Sequence, residues 1–218
     1  MPNSEYLYLD SETSRFRRGV KEIKGNPNFL IKSFGEGFKS ELGALESTIK
    51  KTKGMYSELE SVYNIRLAPY EFVIGTRENW PKNNGYGADI FIQRIEGKNL
   101  QEINEVPNEA VQEAKDLIAN LLNYFKNKYK NKQEIFADIY TPDQFVYGVR
   151  PNETEKHIYL VDLPFRTASD YKDPKKYDFL YELQYFLDFC ESLEGKNKNI
   201  SLTDSKQEIS QLIADLEK

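Results

Sequence analysis

The chain has 218 residues, with 30 basic and 35 acidic side chains and a formal net charge of −5, which disfavours broad electrostatic binding to nucleic acid. A single cysteine and a single histidine exclude an internal disulfide, a CxxC metal site and any site that needs several imidazoles. No apolar run approaches the ~20 residues of a membrane span, and the start lacks the basic-then-apolar pattern of a signal peptide. We therefore expect a protein of the reducing cytoplasm, or one secreted by a route that leaves no cleaved signal.

The first third of the chain predicts a strand hairpin and a helix. Residues 16–23 and 29–34 alternate as β-strands do, and residues 24–28 between them contain the glycine, asparagine and proline that favour a turn. Residues 38–63 carry apolar side chains with the period of an amphipathic helix. Gly54 is a point at which this segment could divide into two helices.

The middle third predicts two more strands and the clearest helix of the chain. Residues 70–74 are rich in aromatic and β-branched side chains and predict a strand that Gly75 should end, and residues 89–95 predict another strand. Residues 108–131 carry one continuous apolar stripe, which indicates a long amphipathic helix.

The last third predicts a short hairpin followed by helices. Residues 145–147 and 158–161 are brief apolar runs that a hairpin would join, and residues 177–193 and 205–216 have helical periodicity. Cys190 lies in an apolar part of the first of these helices, which favours a buried and unreactive thiol. Strands followed mostly by helices, with one later hairpin, predict an α+β fold, and 218 residues suffice for one domain of two lobes or for two very small domains.

Carboxylates border both strands of the later hairpin. Asp138 precedes the first apolar run, and Asp162 follows the second. The hairpin would bring both to one end of a small sheet. Two acidic groups that converge there can hold Mg²⁺ and orient a nucleophile toward a phosphoryl group.

Four short segments, in this order along the chain, resemble the motifs of one known family. They are Phe29-Leu-Ile-Lys32, Ile95-Glu-Gly-Lys-Asn-Leu100, Thr141-Pro-Asp-Gln-Phe-Val146 and Tyr159-Leu-Val-Asp162. Together with the element order they resemble the protein-kinase-like fold, including the aminoglycoside-phosphotransferase type and the minimal kinase-like proteins of bacteria. The resemblance implies a two-lobed domain with a small β-rich lobe over residues 1–95, a hinge and reduced helical lobe over residues 96–218, and a nucleotide between them.

The resemblance implies nucleotide-binding roles for residues of the first half. Lys32 would contact the phosphates of ATP, and Glu41 or Glu46 on the next helix would pair with its ammonium group. The alternative is a lysine that points outward from a half-buried strand. The segment joining the lobes would line the adenine edge with four consecutive residues: Gln93, Arg94, Ile95 and Glu96.

The resemblance also implies the groups that would handle the metal and the acceptor. Asp138 would act as the base that orients the attacking hydroxyl, and Asp162 would bind Mg²⁺. Asp143 or Gln144 would hold a second metal. The alternatives are an acidic surface turn and a carboxylate that caps the turn after a strand.

The function implied is an ATP-dependent phosphotransferase that moves the γ-phosphate of Mg²⁺-ATP to a hydroxyl of a protein or a small molecule. Three departures from the family pattern motivate a second hypothesis, a pseudokinase that binds or scaffolds without turnover. No histidine precedes Asp138, its spacing to Gln144 is one residue too long, and a glycine-rich phosphate loop is missing.

A third hypothesis is an unrelated α+β interaction domain. The short C-terminal part resembles minimal kinase-like proteins, among them some bacterial effectors.

Overall fold

The architecture of the chain is α+β, as its sequence predicts. The computed structural model describes residues 20–23, 26–34, 42–76, 86–137, 139–164 and 177–217. Within these ranges the chain forms two small antiparallel sheets and four α-helices. The α+β class is therefore confirmed, whereas the kinase-type lobes stay a prediction.

The chain separates into two compact units, each built from two stretches of sequence. The first unit comprises Met1–Met55 and Ala68–Arg94, and the second comprises Tyr56–Leu67 and Ile95–Lys218. One sheet belongs to each unit.

The sheet of the first unit has four antiparallel strands in the order β1-β2-β4-β3. The strands are β1 (Val20–Ile23), β2 (Asn26–Phe34), β3 (Tyr70–Thr76) and β4 (Tyr86–Gln93). The predicted hairpin of β1 and β2 is confirmed.

Predicted boundaries of three strands in this sheet are wrong. Strand β4 covers Tyr86–Gln93 and not residues 89–95, and β2 and β3 differ as follows. The strand β2 begins at Asn26, within the segment predicted as a turn, because Asn26 is already paired with Ile23 across the hairpin. Gly75 does not end β3, since it lies opposite Gly87 of β4 and the ladder continues to Thr76. In both places the cross-strand ladder prevails over the local preference of glycine and asparagine for turns.

Helix α1 (Leu42–Ser61) is continuous and begins in the first unit. Gly54 does not divide it, although a glycine inside a helix costs about 1 kcal/mol relative to alanine. The buried side chains on both sides of Gly54 explain this, because Ile49 is 6% exposed and Tyr56 is fully buried. Packing of this stripe outweighs the local cost.

The sheet of the second unit has three antiparallel strands in the order β5-β6-β7. These are β5 (Glu96–Asn99), β6 (Phe145–Val149) and β7 (His157–Leu160). The predicted hairpin of β6 and β7 is confirmed. Strand β5 was not predicted, since its polar sequence carries no strand signal and its pairing with β6 comes from far along the chain.

Three helices cover the core of the second unit. They are α2 (Val111–Lys130), α3 (Tyr177–Lys196) and α4 (Thr203–Glu217). Cys190 of α3 is fully buried, as predicted, and burial raises the pKa of its thiol to about 12, which disfavours the reactive thiolate. No helix of the described chain is long and apolar enough to cross a membrane.

Candidate functional site

The candidate metal-binding residues meet at one end of the β6–β7 hairpin. Antiparallel pairing sets Phe145, the first residue of β6, opposite Leu160, the last residue of β7. Beyond this pair, the Val161 N–H donates to the Gln144 carbonyl oxygen at 2.9 Å. The backbone ladder therefore brings the residues before β6 beside Asp162, which follows β7.

The side chains of Gln144 and Asp162 are in direct contact. With the Gln144 amide nitrogen turned toward Asp162, it donates to the Oδ2 atom at 3.2 Å and to the backbone carbonyl oxygen at 3.3 Å. Carboxylate and amide oxygens are the hard donors that Mg²⁺ prefers. Two of the predicted metal residues are thus neighbours, and the Gln144 amide also fixes the orientation of the Asp162 carboxylate.

Asp143 lies in the same 3-10 turn, Pro142–Gln144, with its side chain exposed. The Thr141 hydroxyl donates to Asp143 Oδ1 at 2.5 Å, as expected of a carboxylate in an acidic turn. Within the described ranges, no group of three or more His, Cys, Asp or Glu side chains is arranged to hold a metal ion. A cation at this hairpin end would depend on few protein ligands.

Buried neighbours hold the two segments of the site in place. Tyr140 and Leu163 are fully buried, and the Tyr56 hydroxyl donates to the Pro164 carbonyl oxygen at 2.7 Å. Asp138, the predicted base, lies outside the described residues. The candidate site therefore rests on chain segments that are anchored immediately beside Asp162.

Lys32 lies in the first unit, at the centre of the four-stranded sheet. It faces Val20 of β1 and Ile90 of β4, and it is half-buried. Because cross-strand partners share a face of the sheet, Lys32 lies on the same face as Ile90 and Phe72, which are buried.

Of the two glutamates predicted to pair with Lys32, the structure describes only Glu46. Glu46 is exposed on α1, and Glu41 lies outside the described residues. An ion pair between Lys32 and either glutamate stays a prediction.

Two backbone N–H groups of the predicted adenine-binding segment are already hydrogen-bonded within the first unit. The Gln93 N–H donates to the Pro69 carbonyl oxygen, and the Arg94 N–H donates to the Asn28 carbonyl oxygen, both at 2.8 Å. These two N–H groups would have to break a bond before they could donate to a base. Of the residues that follow, Ile95 has a buried side chain, and Glu96 is exposed at the start of β5 opposite Val149.

The glycine of the Ile95-Glu-Gly motif has a packing role in the second sheet. Gly97 of β5 lies opposite Gly148 of β6, and a Cβ atom on Gly97 would overlap the Tyr147 carbonyl oxygen and approach the Gly148 Cα to 2.6 Å. The strands approach too closely there for any side chain. The motif that resembles a kinase hinge therefore contains a glycine that strand packing requires.

One buried polar group near the site was not apparent in the sequence. The Tyr140 hydroxyl is fully buried and has no hydrogen-bond partner among the residues that the structure describes, and burial raises its pKa well above the usual value. Its ring packs against Phe186, with ring centroids 5.2 Å apart. Sequence periodicity can identify an aromatic residue as buried, but it cannot show whether the hydroxyl finds a partner.

We expect Tyr140→Phe to raise the free energy of unfolding by about 1 kcal/mol, because it removes a buried hydroxyl that makes no hydrogen bond. Chemical denaturation measures this difference. Tyr124→Phe is the matched control, since the Tyr124 hydroxyl accepts a hydrogen bond from the Phe136 N–H at 3.0 Å. The control should lower stability by about 1–3 kcal/mol. A destabilised Tyr140→Phe would contradict the prediction and show that the hydroxyl has a partner, such as a buried water.

Comparison with known proteins assigns no family to the chain. No protein-family model matches the chain, and a search of curated proteins found no significant match. The interpretation of the hairpin end therefore depends on its residues and their contacts.

Proposed function

We propose that the chain is a kinase-like phosphotransferase that binds Mg²⁺-ATP at the end of the β6–β7 hairpin and transfers the γ-phosphate to a hydroxyl of a protein or a small molecule. The observation that supports this most is the contact between Gln144 and Asp162, two residues that the kinase resemblance assigns to metal binding. This contact joins residues of two separate motifs, and that is why it supports the proposal.

The donor groups at the hairpin end fit Mg²⁺ better than a transition metal. Mg²⁺ is commonly bound through one or two carboxylates, with waters and substrate phosphates completing its octahedral shell. Asp162 would supply the carboxylate, and Asp143 would supply a second oxygen, or the amide oxygen of Gln144 would do so once its side chain turns and gives up the hydrogen bond to Asp162. When bound, the ion would neutralise charge on the phosphates.

Phosphoryl transfer depends mainly on positioning and charge stabilisation, so a few well-held groups suffice. The buried neighbours Tyr140 and Leu163 restrict the backbone on both sides of the site. Asp138 remains the proposed base.

Lys32 belongs to the first unit, so its proposed contact with the phosphates needs a separate test, in which Lys32→Met should weaken Mg²⁺-ATP binding.

A thermal-shift experiment tests the binding step. A ligand at ~100 times its Kd stabilises the folded state by about 2.7 kcal/mol, which is roughly 5–10 °C for a chain of this length. We expect this shift with ATP and Mg²⁺ together, and its loss in Asp162→Asn, which keeps the size of the side chain and removes its charge.

The control is Glu105→Gln, which removes one exposed carboxylate of the same unit and should keep the full shift. Mg²⁺ alone and AMP with Mg²⁺ should produce little shift, because the proposed site recognises the metal together with a triphosphate. Absence of any shift at millimolar ATP and Mg²⁺ would contradict the proposal and favour an unrelated interaction domain.

A binding module without turnover is the second candidate. It is favoured by the glutamine at position 144 and by the absence, within the described ranges, of a third acidic group beside Asp162. Release or transfer of labelled γ-phosphate distinguishes the two candidates. An enzyme should lose this activity in Asp138→Ala, whereas a pseudokinase should bind Mg²⁺-ATP and show no activity in the wild type.

A further inference from the structure

Helix α3 presents a stripe of exposed side chains that the core does not use. The exposed positions recur at intervals of three or four residues and therefore lie on one face of the helix. They are Tyr181, Gln184, Tyr185, Asp188, Glu191 and Gly195. We call this set the α3 stripe.

The opposite face of α3 already provides the contacts that hold the helix. Leu183, Phe186, Phe189 and Leu193 are all fully buried there. The tyrosines of the α3 stripe are not required for this packing. Their exposure is high for aromatic side chains, at 59% for Tyr181 and 40% for Tyr185.

The two tyrosines form an ordered pair. Their ring centroids lie 4.7 Å apart with an angle of 89° between the ring planes, the edge-to-face arrangement that aromatic pairs prefer. In such a pair, the ring that contributes its edge keeps both faces uncovered by its partner. A tyrosine pair that is already ordered loses little side-chain entropy when a ligand binds.

The charge of the α3 stripe has a single sign. Asp188 and Glu191 follow the tyrosines on the same face, and the stripe contains no lysine or arginine. The chain as a whole also carries a net charge of −5. Aromatic faces attract cations, and arginine in particular stacks on tyrosine rings while its guanidinium pairs with carboxylates.

We propose that the α3 stripe is a docking surface for an arginine-containing linear segment of a partner protein. Arginine side chains of the partner stack on Tyr181 and Tyr185, and neighbouring arginines pair with Asp188 and Glu191. The distance along the helix from Tyr181 to Glu191 is about 15 Å. An extended peptide of about five residues covers this length.

A short fluorescein-labelled peptide of alternating glycine and arginine tests the proposal by fluorescence anisotropy on the full chain. The wild type should bind it, and binding should weaken as the salt concentration rises. The same peptide with citrulline in place of arginine should not bind, because citrulline keeps the shape and lacks the charge. A lysine version should bind more weakly than the arginine version.

Two double variants separate the aromatic from the acidic contribution. We expect at least tenfold weaker binding in Tyr181→Ser with Tyr185→Ser, and likewise in Asp188→Asn with Glu191→Gln. These positions are exposed, so circular dichroism should show an unchanged fold. Glu102→Gln with Glu105→Gln is the matched control, since it removes two exposed charges elsewhere in the same unit and should change affinity less than twofold.

Three results would overturn the proposal. If the control variant bound the peptide as weakly as the stripe variants do, the overall charge of the chain would explain the binding. Absence of binding when the wild-type chain is titrated to millimolar concentration would exclude the arginine ligand. Self-association of the wild type that the tyrosine double variant abolishes would assign the α3 stripe to a second copy of this chain.

Discussion

Glu58→Ala is expected to lower the free energy of unfolding by about 3 kcal/mol, because it leaves the Lys128 ammonium buried without its carboxylate. The Lys128 side chain is 7% exposed, and its Nζ lies 2.5 Å from Glu58 Oε2. The same nitrogen lies 5.9 Å from the centroid of the Tyr124 ring. That contact is too weak to replace a lost carboxylate.

The expected loss of stability in Glu58→Ala follows from the exposure of Glu58 and Lys128. Removing one member of a buried pair costs about 3–5 kcal/mol. Glu58 is 30% exposed, so water already screens part of its charge and the lower end of this range applies. Replacing Lys128 with methionine in the Glu58→Ala background should restore much of the stability, because the buried charge is then removed as well.

The same helix provides the matched control. Lys126 of α2 pairs with Glu208 of α4 at 2.8 Å, and these side chains are 45% and 52% exposed. Glu208→Ala should therefore cost less than about 1 kcal/mol. Chemical denaturation measures both effects. Similar losses for Glu58→Ala and Glu208→Ala would show that burial does not distinguish the two pairs.

Gly97→Ala is expected to lower the free energy of unfolding by about 3 kcal/mol, the upper end of the usual cost of overpacking. The new Cβ would overlap the carbonyl oxygen of Tyr147, which belongs to the backbone of β6. A side chain could rotate away from such an overlap, but a backbone atom in a strand ladder cannot do so without breaking the ladder. The pairing of β5 with β6 should therefore loosen.

Gly195→Ala is the matched control in the same unit. Gly195 lies near the end of α3, where an added Cβ has no atom within 4 Å. Alanine restricts the unfolded chain more than glycine does, so stability should rise by about 0.5 kcal/mol. Opposite signs for the two substitutions in denaturation experiments would support the close approach of β5 and β6. A Gly97→Ala variant as stable as the wild type would contradict it.

Local patterns predicted most of the regular elements, but two glycines and one polar segment were misinterpreted. The long helix 108–131 and the hairpin of β6 and β7 appear where periodicity placed them. Gly54 and Gly75 were interpreted from local preference alone, although one lies in an intact helix and the other in an intact ladder. Strand β5 is polar and short, so only its partner β6 makes it a strand.

The candidate site was likewise predictable from the sequence only in part. The sequence by itself indicated Asp162 and Gln144 as ligands from motif resemblance, and it identified Cys190 as buried from its apolar helix. It could not show that the Gln144 amide contacts Asp162, because that contact depends on the strand register that pairs Phe145 with Leu160. Register is a relation between two segments and is absent from either one alone.

The α+β class, the long helices and the position of the β6–β7 hairpin can be predicted from the amino-acid sequence, since the spacing of apolar side chains along one segment carries that information. Folding in three dimensions is what pairs β5 with β6, buries Lys128 against Glu58 and leaves the Tyr140 hydroxyl without a hydrogen-bond partner within the described part of the chain. Each of these outcomes depends on groups that are distant along the chain, and their energies arise when folding removes water between them.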